Sequence, residues 1–235
     1  ERVELVKRYS HAPDQANINL GKFGSDGEMM DALRRLVDTG TVRGISVSVG
    51  AGTTDEDCVR AIALMRGECP GIPIGLSYRV CQADVLSRIK GAGATEFKLN
   101  VGSTSKRVFD LLNPGQDLNA YMECYRDAVR VFGKGSVANS FFVGLGETCG
   151  EVEKSFRDVA SCGVLSDIKI KRLSPVDRAR FESVMGAAPA LSPEKLSDYG
   201  RMLKRIEEEN GLDARTYKTL CNACRGCNLV PFLDF

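Results

Sequence analysis

Strand-like and helix-like patterns alternate along most of the chain. Apolar runs rich in β-branched residues predict strands, and apolar positions at helical spacing predict the helices between them. The predicted strands cover residues 42–49, 72–78, 95–101, 137–143 and 167–173, with a further short strand at 16–20. The predicted helices cover residues 25–40, 55–67, 82–91, 105–112, 118–132, 151–162 and 193–210. This alternation favours parallel βαβ units in a barrel or a doubly wound sheet.

The segment at residues 134–148 is the centre of the site prediction. Its apolar run predicts a buried parallel strand, and Gly144 and Gly146 end that strand in a tight turn before Glu147. Glycines at a strand end allow a flat ligand to approach the backbone closely. In a parallel barrel the carboxyl ends of all strands meet at one mouth. The expected mouth residues are Gly50 to Thr53, Tyr78, Arg79, Asn100 to Ser103, Gly144 to Glu147, Lys171 and Arg172.

Composition and charge narrow the class of protein. The chain has 235 residues and is 43% hydrophobic, which suits a single α/β domain. Its 32 Lys and Arg residues nearly equal its 31 Asp and Glu residues, so we expect neither a nucleic-acid nor a membrane partner. It has no apolar stretch of about 20 residues and no secretory leader pattern. We therefore expect a soluble, cytoplasmic protein.

Hydrolytic chemistry is poorly supported, whereas two lysines leave an alternative open. The only histidine is His11, and no paired carboxylates occupy neighbouring strand ends. Lys169 alternates with two isoleucines and is predicted to face the barrel interior, where a desolvated amine forms Schiff bases. Lys98 is the other candidate for such a lyase. The simpler interpretation is that these amines reach solvent or pair with a carboxylate such as Asp167 or Glu96.

Three of the nine cysteines lie close together near the carboxyl terminus. Cys221, Cys224 and Cys227 are each three residues apart, a spacing that predicts a metal centre rather than disulfides. Three cysteines suit a four-iron cluster with one open iron. Zinc needs a fourth ligand, such as Cys162 or His11 from elsewhere in the chain. The remaining cysteines mostly accompany helical patterns, which is typical of small buried hydrophobes.

Two segments resemble the radical S-adenosylmethionine (SAM) enzymes, and within them the branch around biotin synthase. Residues 142–148 resemble the fifth-strand segment of this family, and residues 97–105 resemble its fourth-strand segment. A helix, a turn at residues 113–115 and a second helix near Tyr121 follow in the family's order. The resemblance covers residues 25–175. It implies a partial (β/α)6 TIM-type barrel with a C-terminal cysteine-rich tail.

The resemblance also implies a set of cofactor-binding residues. These are Gly50, Ala51, Gly52, Asn100, Ser103, Arg126, Val143, Gly144 and Glu147. The chain departs from the family because Gly50 to Gly52 lacks the usual acid, and Gly102 stands where relatives carry an acid. The family's three-cysteine loop is also absent, so we expect the ligands of the catalytic [4Fe–4S] cluster upstream of Glu1.

The resemblance implies three units and a reaction class. Residues 1–24 are a loop segment, residues 25–191 the barrel, and residues 192–235 a helix and the cysteine tail.

The expected activity is reductive cleavage of SAM to a 5′-deoxyadenosyl radical, in anaerobic cofactor or natural-product maturation. Lys169, Lys171 and Arg172 would favour a small anionic substrate. An auxiliary [4Fe–4S] cluster on the tail and a flavodoxin or ferredoxin as electron donor are expected. The alternatives are the Schiff-base lyase and a non-catalytic metal-binding barrel.

Overall fold

The fold is a curled half-barrel of six parallel strands flanked by helices, which confirms the predicted partial barrel. A computed structural model describes residues 14–170, 173–186, 191–224, 226 and 228–235. The strands pair in sequence order from β1 to β6. They are β1 (Gln15–Asn19), β2 (Gly44–Ser48), β3 (Ile74–Tyr78), β4 (Glu96–Leu99), β5 (Val137–Val143) and β6 (Leu165–Ile170).

Helices follow each strand and cover the outer face of the sheet, except for a short last helix, which lies elsewhere. They are α1 (Asp26–Val37), α2 (Asp55–Glu68), α3 (Ala83–Gly91), α4 (Lys106–Leu112), α5 (Leu118–Phe132), α6 (Cys149–Ser161), α7 (Pro175–Met185), α8 (Pro193–Glu209) and α9 (Leu220–Cys224). The side chain of Ser25 caps α1 by accepting a hydrogen bond from Glu28 N, as predicted. No helix in the described part of the chain has both the length and the apolar character needed to cross a membrane.

Two parts of the architecture refine the sequence prediction. Residues 15–19 form the edge strand β1, in register with β2, which confirms the short strand predicted at residues 16–20 and makes this part of the expected N-terminal loop segment a part of the sheet. Helix α7 was not predicted at all. Its apolar residues do not form a continuous stripe along one face of the helix. Val176 and Val184 are exposed, and only Phe181 is buried.

The two faces of the strands have different chemistry. Phe97 of β4 stacks on Phe132 of α5, and Phe141 of β5 packs against Phe156 of α6, so these aromatic residues face the helices. Alternate residues of a strand point to opposite faces. Lys98 of β4 and the polar residues of neighbouring strands therefore face the inside of the curl, which we call the lumen.

The C-terminal segment lies inside this lumen and not beyond the barrel. Lys218 N donates to the carboxylate of Glu96, the first residue of β4, at 2.7 Å. Helix α9 contacts β1, β2, β3 and β6, so it lies against both edge strands of the curled sheet. Leu229 then forms an antiparallel bridge with Ile168 of β6. The expected tail therefore fills the amino-terminal end of the half-barrel.

Candidate functional site

The turn after β5 is closed by a carboxylate. Gly144 has a φ of 82°, in the region that favours glycine. The two carboxylate oxygens of Glu147 accept hydrogen bonds from Gly144 N at 2.7 Å and Leu145 N at 2.8 Å. Glu147 thereby fixes the backbone of Gly144 and Leu145 at the mouth, which makes its contribution to any ligand site indirect.

Neighbouring segments cover this turn closely. A Cβ added at Gly146 would lie 2.9 Å from Cβ of Met185, at the end of α7. At Gly144 an added Cβ would lie 3.4 Å from Cβ of Leu191. Glycine is therefore required at position 146 by space as well as by its φ of 101°, whereas Leu191 lies at an ordinary contact distance from Gly144.

The loop after β4 divides the predicted residues between two environments. Asn100 is exposed at the mouth, and its Oδ1 accepts a hydrogen bond from Ser140 N at 2.9 Å. Its Nδ2 makes no hydrogen bond to the residues that the structure describes. Ser103 is only 5% exposed and its hydroxyl lies 3.4 Å from the hydroxyl of Ser155 on α6. Ser103 thus orders the loop, whereas Asn100 is available to a ligand.

The glycine at position 102 has a steric explanation. Gly102 has a φ of 76°, and a Cβ there would lie 2.7 Å from Leu112 and 2.8 Å from Phe142. A carboxylate side chain at this position would therefore collide with both residues and strain the backbone.

The loop after β2 lines a cavity at the edge of the mouth. Ala51 and Gly52 share this space of about 300 Å³ with Ser25 and Asp26 at the start of α1. A Cβ at Gly50 would lie 2.7 Å from the Cα of Gly21, so the loops after β1 and β2 touch each other. The three predicted residues 50–52 are thus brought to the carboxyl ends of β1 and β2.

Arg126 lies in a different place from the other predicted cofactor residues. It lines a groove of about 530 Å³ together with Arg130 of α5 and Lys154, Asp158 and Cys162 at α6. This groove belongs to the helical layer, and none of the other residues predicted for SAM lines it. The structure therefore gives no geometric support to a role for Arg126 at the mouth.

A buried ion pair occupies the lumen below the mouth. Lys98 Nζ lies 2.6 Å from Asp167 Oδ2, with side-chain exposures of 1% and 0%. Burial lowers the pKa of Lys98, but the charges of Asp167 and Cys221 outweigh it and the pKa is raised. Lys98 therefore stays protonated and paired with a carboxylate, as the simpler interpretation expected. A protonated amine is not a nucleophile, so Lys98 is disfavoured as the Schiff-base residue.

Lys169 faces the lumen one layer closer to the mouth. It is two residues beyond Asp167 on β6 and pairs in register with Phe142 of β5, as the alternation with isoleucines predicted. It forms no ion pair with the described residues. The other predicted substrate residues, Lys171 and Arg172, lie outside the described part of the chain, as does His11.

Two of the three predicted metal ligands lie within the lumen. Cys221 and Cys224 stand one helical turn apart on α9, and Cys221 is one of the groups that raise the pKa of Lys98. Cys227 lies outside the described residues. Within the described part of the chain, no group of three His, Cys, Asp or Glu residues is placed to hold a metal ion.

The side chain between these cysteines lacks partners. Asn222 is 1% exposed, and neither its Nδ2 nor its Oδ1 finds a hydrogen-bond partner among the described residues. A buried polar group without a partner costs about 1–3 kcal/mol. An unpartnered amide donor beside two cysteines in the chain, with a buried lysine in the same lumen, fits an anionic, sulfur-ligated metal centre, because such a centre requires both charge compensation and N–H donors.

Sequence reasoning did not identify several polar residues of the lumen as parts of the site. Asn228 donates to Asp167 and, at 3.2 Å, to the hydroxyl of Ser140. Ser46 accepts from Leu220 N at 2.7 Å. The alternation of polar residues with Ile45 and Val47 on β2 was the available signal, because it marks a second, polar face.

Comparison with known proteins identifies the fold. No protein-family model matches the chain, and no curated protein matches it in sequence. Methylornithine synthase has a TM-score of 0.55 at 16% identity, covering 71% of this chain and 49% of its own. Coproporphyrinogen III oxidase from Escherichia coli, a radical SAM enzyme, has a TM-score of 0.57 at 17% identity, covering 72% and 41%.

The fold is shared more widely than these two enzymes. Active domain 2 of a thermostable chitinase from Pyrococcus furiosus has a TM-score of 0.51 at 8% identity, covering 82% of this chain and 69% of its own. The chain spans less than half the length of the methylornithine synthase and the oxidase that it matches. Identities this low show common architecture alone. The chain thus has a (β/α) half-barrel fold that a radical SAM enzyme also has.

Proposed function

We propose that the protein is a radical SAM enzyme of the biotin-synthase-like type. The observation that carries this proposal is the position of the two family-like segments. Asn100 and the Gly144 turn follow neighbouring parallel strands, β4 and β5, and therefore lie side by side at the mouth. When bound and reduced by a [4Fe–4S] cluster, SAM would supply a 5′-deoxyadenosyl radical.

The residues at the mouth would divide the binding of SAM among them. The backbone at Val143 and Gly144, fixed by Glu147, would receive the edge of the adenine. The Nδ2 of Asn100 would donate to the ribose or to substrate. The cavity beside Ala51 and Gly52 would accommodate the methionine end, with backbone groups replacing the missing acid.

The substrate would enter the lumen above the Lys98 and Asp167 pair. Lys169 presents an ammonium group there, beside the ring of Phe142. A small anionic molecule fits this combination best, and Lys171 and Arg172, which follow β6 in the sequence, would add positive charge. Enclosure by the strands would exclude water from a reactive intermediate.

The C-terminal cysteines would hold an auxiliary [4Fe–4S] cluster. Cys221 and Cys224 are in the lumen, and Cys227 would be the third ligand. The cluster would supply an open iron for a ligand, or a path for electrons. An acidic electron carrier such as a flavodoxin or ferredoxin would deliver the electrons for the whole reaction.

One observation supports a second candidate function. Lys169 has no ion-pair partner among the described residues, so a Schiff-base lyase that uses its amine is the second candidate. A glycosidase like the chitinase is less well supported, because Glu147, the carboxylate at the β5 end, is committed to its own turn. The non-catalytic barrel is the outcome if SAM does not bind.

Product analysis tests the proposal. The complete, iron-loaded protein is incubated anaerobically with dithionite and SAM, and 5′-deoxyadenosine is quantified by mass spectrometry. We expect formation of 5′-deoxyadenosine, and at least tenfold less with Asn100→Ala than with the exposed control Asn119→Ala. Absence of the product in the wild type would contradict the proposal. Borohydride trapping of a substrate on Lys169 would instead favour the lyase.

A further inference from the structure

We propose that the groove between α5 and α6 binds a small phosphorylated molecule with an apolar body. This groove of about 530 Å³ is the place where Arg126 lies, away from the mouth. The inference goes beyond the proposed function and does not depend on it, because none of the residues that would hold SAM or substrate at the mouth lines the groove.

One wall of the groove is a stripe of residues on α5. The groove is lined at every fourth position of this helix, by Leu118, Met122, Arg126 and Arg130. Residues at this spacing share one face of a helix. The stripe is apolar toward the start of α5 and cationic toward its end. A ligand lying along it would therefore meet apolar atoms at one end and positive charge at the other.

Arg126 has positive charge to offer a ligand. It is exposed, and its guanidinium forms neither an ion pair nor a hydrogen bond with the residues that the structure describes. The helix dipole favours cations in the last turn, which accounts for Arg130 but not for Arg126, because α5 continues to Phe132. Arg130 pairs with Asp127, but an exposure of 75% for the Arg130 side chain makes this pair weak enough to yield to a ligand.

Helix α6 supplies the opposite wall, which carries a third cation and a carboxylate. Lys154 Nζ lies 2.6 Å from Asp158 Oδ2, and the hydroxyl of Thr104 donates to the same oxygen at 2.6 Å. Thr104 is only 6% exposed, so it holds this carboxylate toward the floor of the groove. The charge of Asp158 is therefore compensated within its own wall. Asp158 and Arg126 line the same groove, yet they form no ion pair with each other.

The charge and shape of the groove favour a phosphate with an apolar body. Two arginines and a lysine face one compensated carboxylate, which suits a doubly charged phosphate better than a singly charged carboxylate. The planar donor fork of an arginine binds two phosphate oxygens at once. Small-molecule sites have volumes of about 300–1,000 Å³, and this groove falls within that range. An acidic peptide would leave Leu118 and Met122 facing charged side chains, so it fits less well.

The test measures the binding of a minimal probe to the complete protein. Naphthyl phosphate joins one phosphate to one apolar ring system, and its affinity is determined by equilibrium dialysis. Inorganic phosphate lacks the apolar body, and naphthol lacks the phosphate. Arg126→Gln and Lys154→Gln each remove one cation of the groove. Arg157→Gln is the matched control, because Arg157 is an exposed arginine of α6 that does not line the groove.

The expected results test the cationic and the apolar part of the groove separately. Naphthyl phosphate should bind about tenfold more tightly than inorganic phosphate, because the apolar wall removes its rings from water. Arg126→Gln should weaken its binding about tenfold through the loss of a charge-assisted contact. Lys154→Gln should also weaken it, because Asp158 then faces the phosphate without compensation. Arg157→Gln and the mouth variant Asn100→Ala should bind the probe like the wild type.

Several results would overturn the inference in distinguishable ways. Equal affinities in Arg126→Gln and Arg157→Gln would show that the probe binds outside the groove, and weaker binding in Asn100→Ala would place it at the mouth. Tighter binding of hexaglutamate than of naphthyl phosphate would make the groove a site for an acidic peptide. If naphthol binds as tightly as naphthyl phosphate, or if the wild type binds neither, the groove is not a phosphate site.

Discussion

Lys98 and Asp167 form an ion pair across the lumen, with their charged atoms 2.6 Å apart. The pair joins β4 to β6 and passes over β5, which lies between them in the sheet. Asp167 also accepts a hydrogen bond from the side chain of Asn228. One carboxylate thus ties two strands and the C-terminal segment together in a place that solvent does not reach.

Breaking this pair on one side should destabilise the protein strongly. Asp167→Ala leaves the ammonium group of Lys98 buried without its partner, which typically costs about 3–5 kcal/mol. The free energy of unfolding is measured by urea titration. The double variant Lys98→Met/Asp167→Leu should recover most of the loss, because no charge is left unpaired.

A surface pair provides the control. Glu68 pairs with Arg34 at 2.9 Å, but both side chains are well exposed. Glu68→Ala should therefore cost less than about 1 kcal/mol. If Asp167→Ala costs no more than Glu68→Ala, the lumen pair is not the structural tie described above.

The C-terminal segment should leave the lumen when Gly75 is given a side chain. A Cβ at Gly75 of β3 would lie 1.9 Å from Oγ1 of Thr219. We expect Gly75→Ala to cost at least about 1–3 kcal/mol and to increase the alkylation rate of Cys221 and Cys224. Alkylation is followed by mass spectrometry of peptides.

The matched control is another glycine with free space around it. Gly67 near the end of α2 has no atom within 4 Å of an added Cβ, so Gly67→Ala should be neutral or slightly stabilising. Equal alkylation rates in Gly75→Ala and Gly67→Ala would show that Thr219 does not hold the segment against β3.

Removal of the Glu147 carboxylate should weaken SAM binding without unfolding the barrel. In Glu147→Ala the amides of Gly144 and Leu145 lose their acceptors, so the turn that would receive adenine is no longer fixed. We expect at least tenfold weaker binding by equilibrium dialysis. Glu153→Ala, an exposed carboxylate on α6, should bind SAM like the wild type. Equal affinity in both variants would disprove the role of this turn.

Glu207 should make stability depend on pH. Burial raises its pKa well above the ordinary 4.5, and the charges of Asp167 and Asp213 add to that rise. The folded state therefore keeps a proton that the unfolded state releases near pH 4.5, so this group stabilises the fold at low pH. Its contribution falls as pH rises above 4.5, by up to about 1.4 kcal/mol per pH unit.

Neutral variants of two adjacent residues test this dependence. Glu207→Gln should flatten the fall in unfolding free energy between pH 5 and pH 8. Glu208→Gln changes the same charge on the exposed side of α8 and should keep the wild-type slope. Identical slopes for both variants would show that Glu207 is ionised in the folded protein.

The regular parts of the fold were predictable because their signals are local. Alternation along each strand located the sheet, and the isoleucines beside Lys169 correctly predicted that this lysine faces the lumen. The Ser25 cap was also readable from the chain. Helix α7 escaped prediction because it packs only Phe181 and exposes its valines.

The lumen was only partly predictable because its contacts are distant in sequence. Thr219 meets Glu96 across 123 positions, and no local pattern near residue 219 distinguishes a buried segment from a surface tail. Ser103 appeared suited to a ligand, yet its hydroxyl forms a hydrogen bond with the hydroxyl of Ser155 on α6. Arg126 likewise has helical neighbours that place it in the groove between α5 and α6.

The metal content of the complete protein tests the proposed function most directly. Iron and sulfide per chain are determined under strict anaerobiosis, and the paramagnetic resonance spectrum of the reduced protein is recorded before and after adding SAM. We expect about eight irons, the content of two four-iron clusters, and a spectrum that SAM perturbs. About four irons with a spectrum unchanged by SAM, or zinc alone, would contradict it.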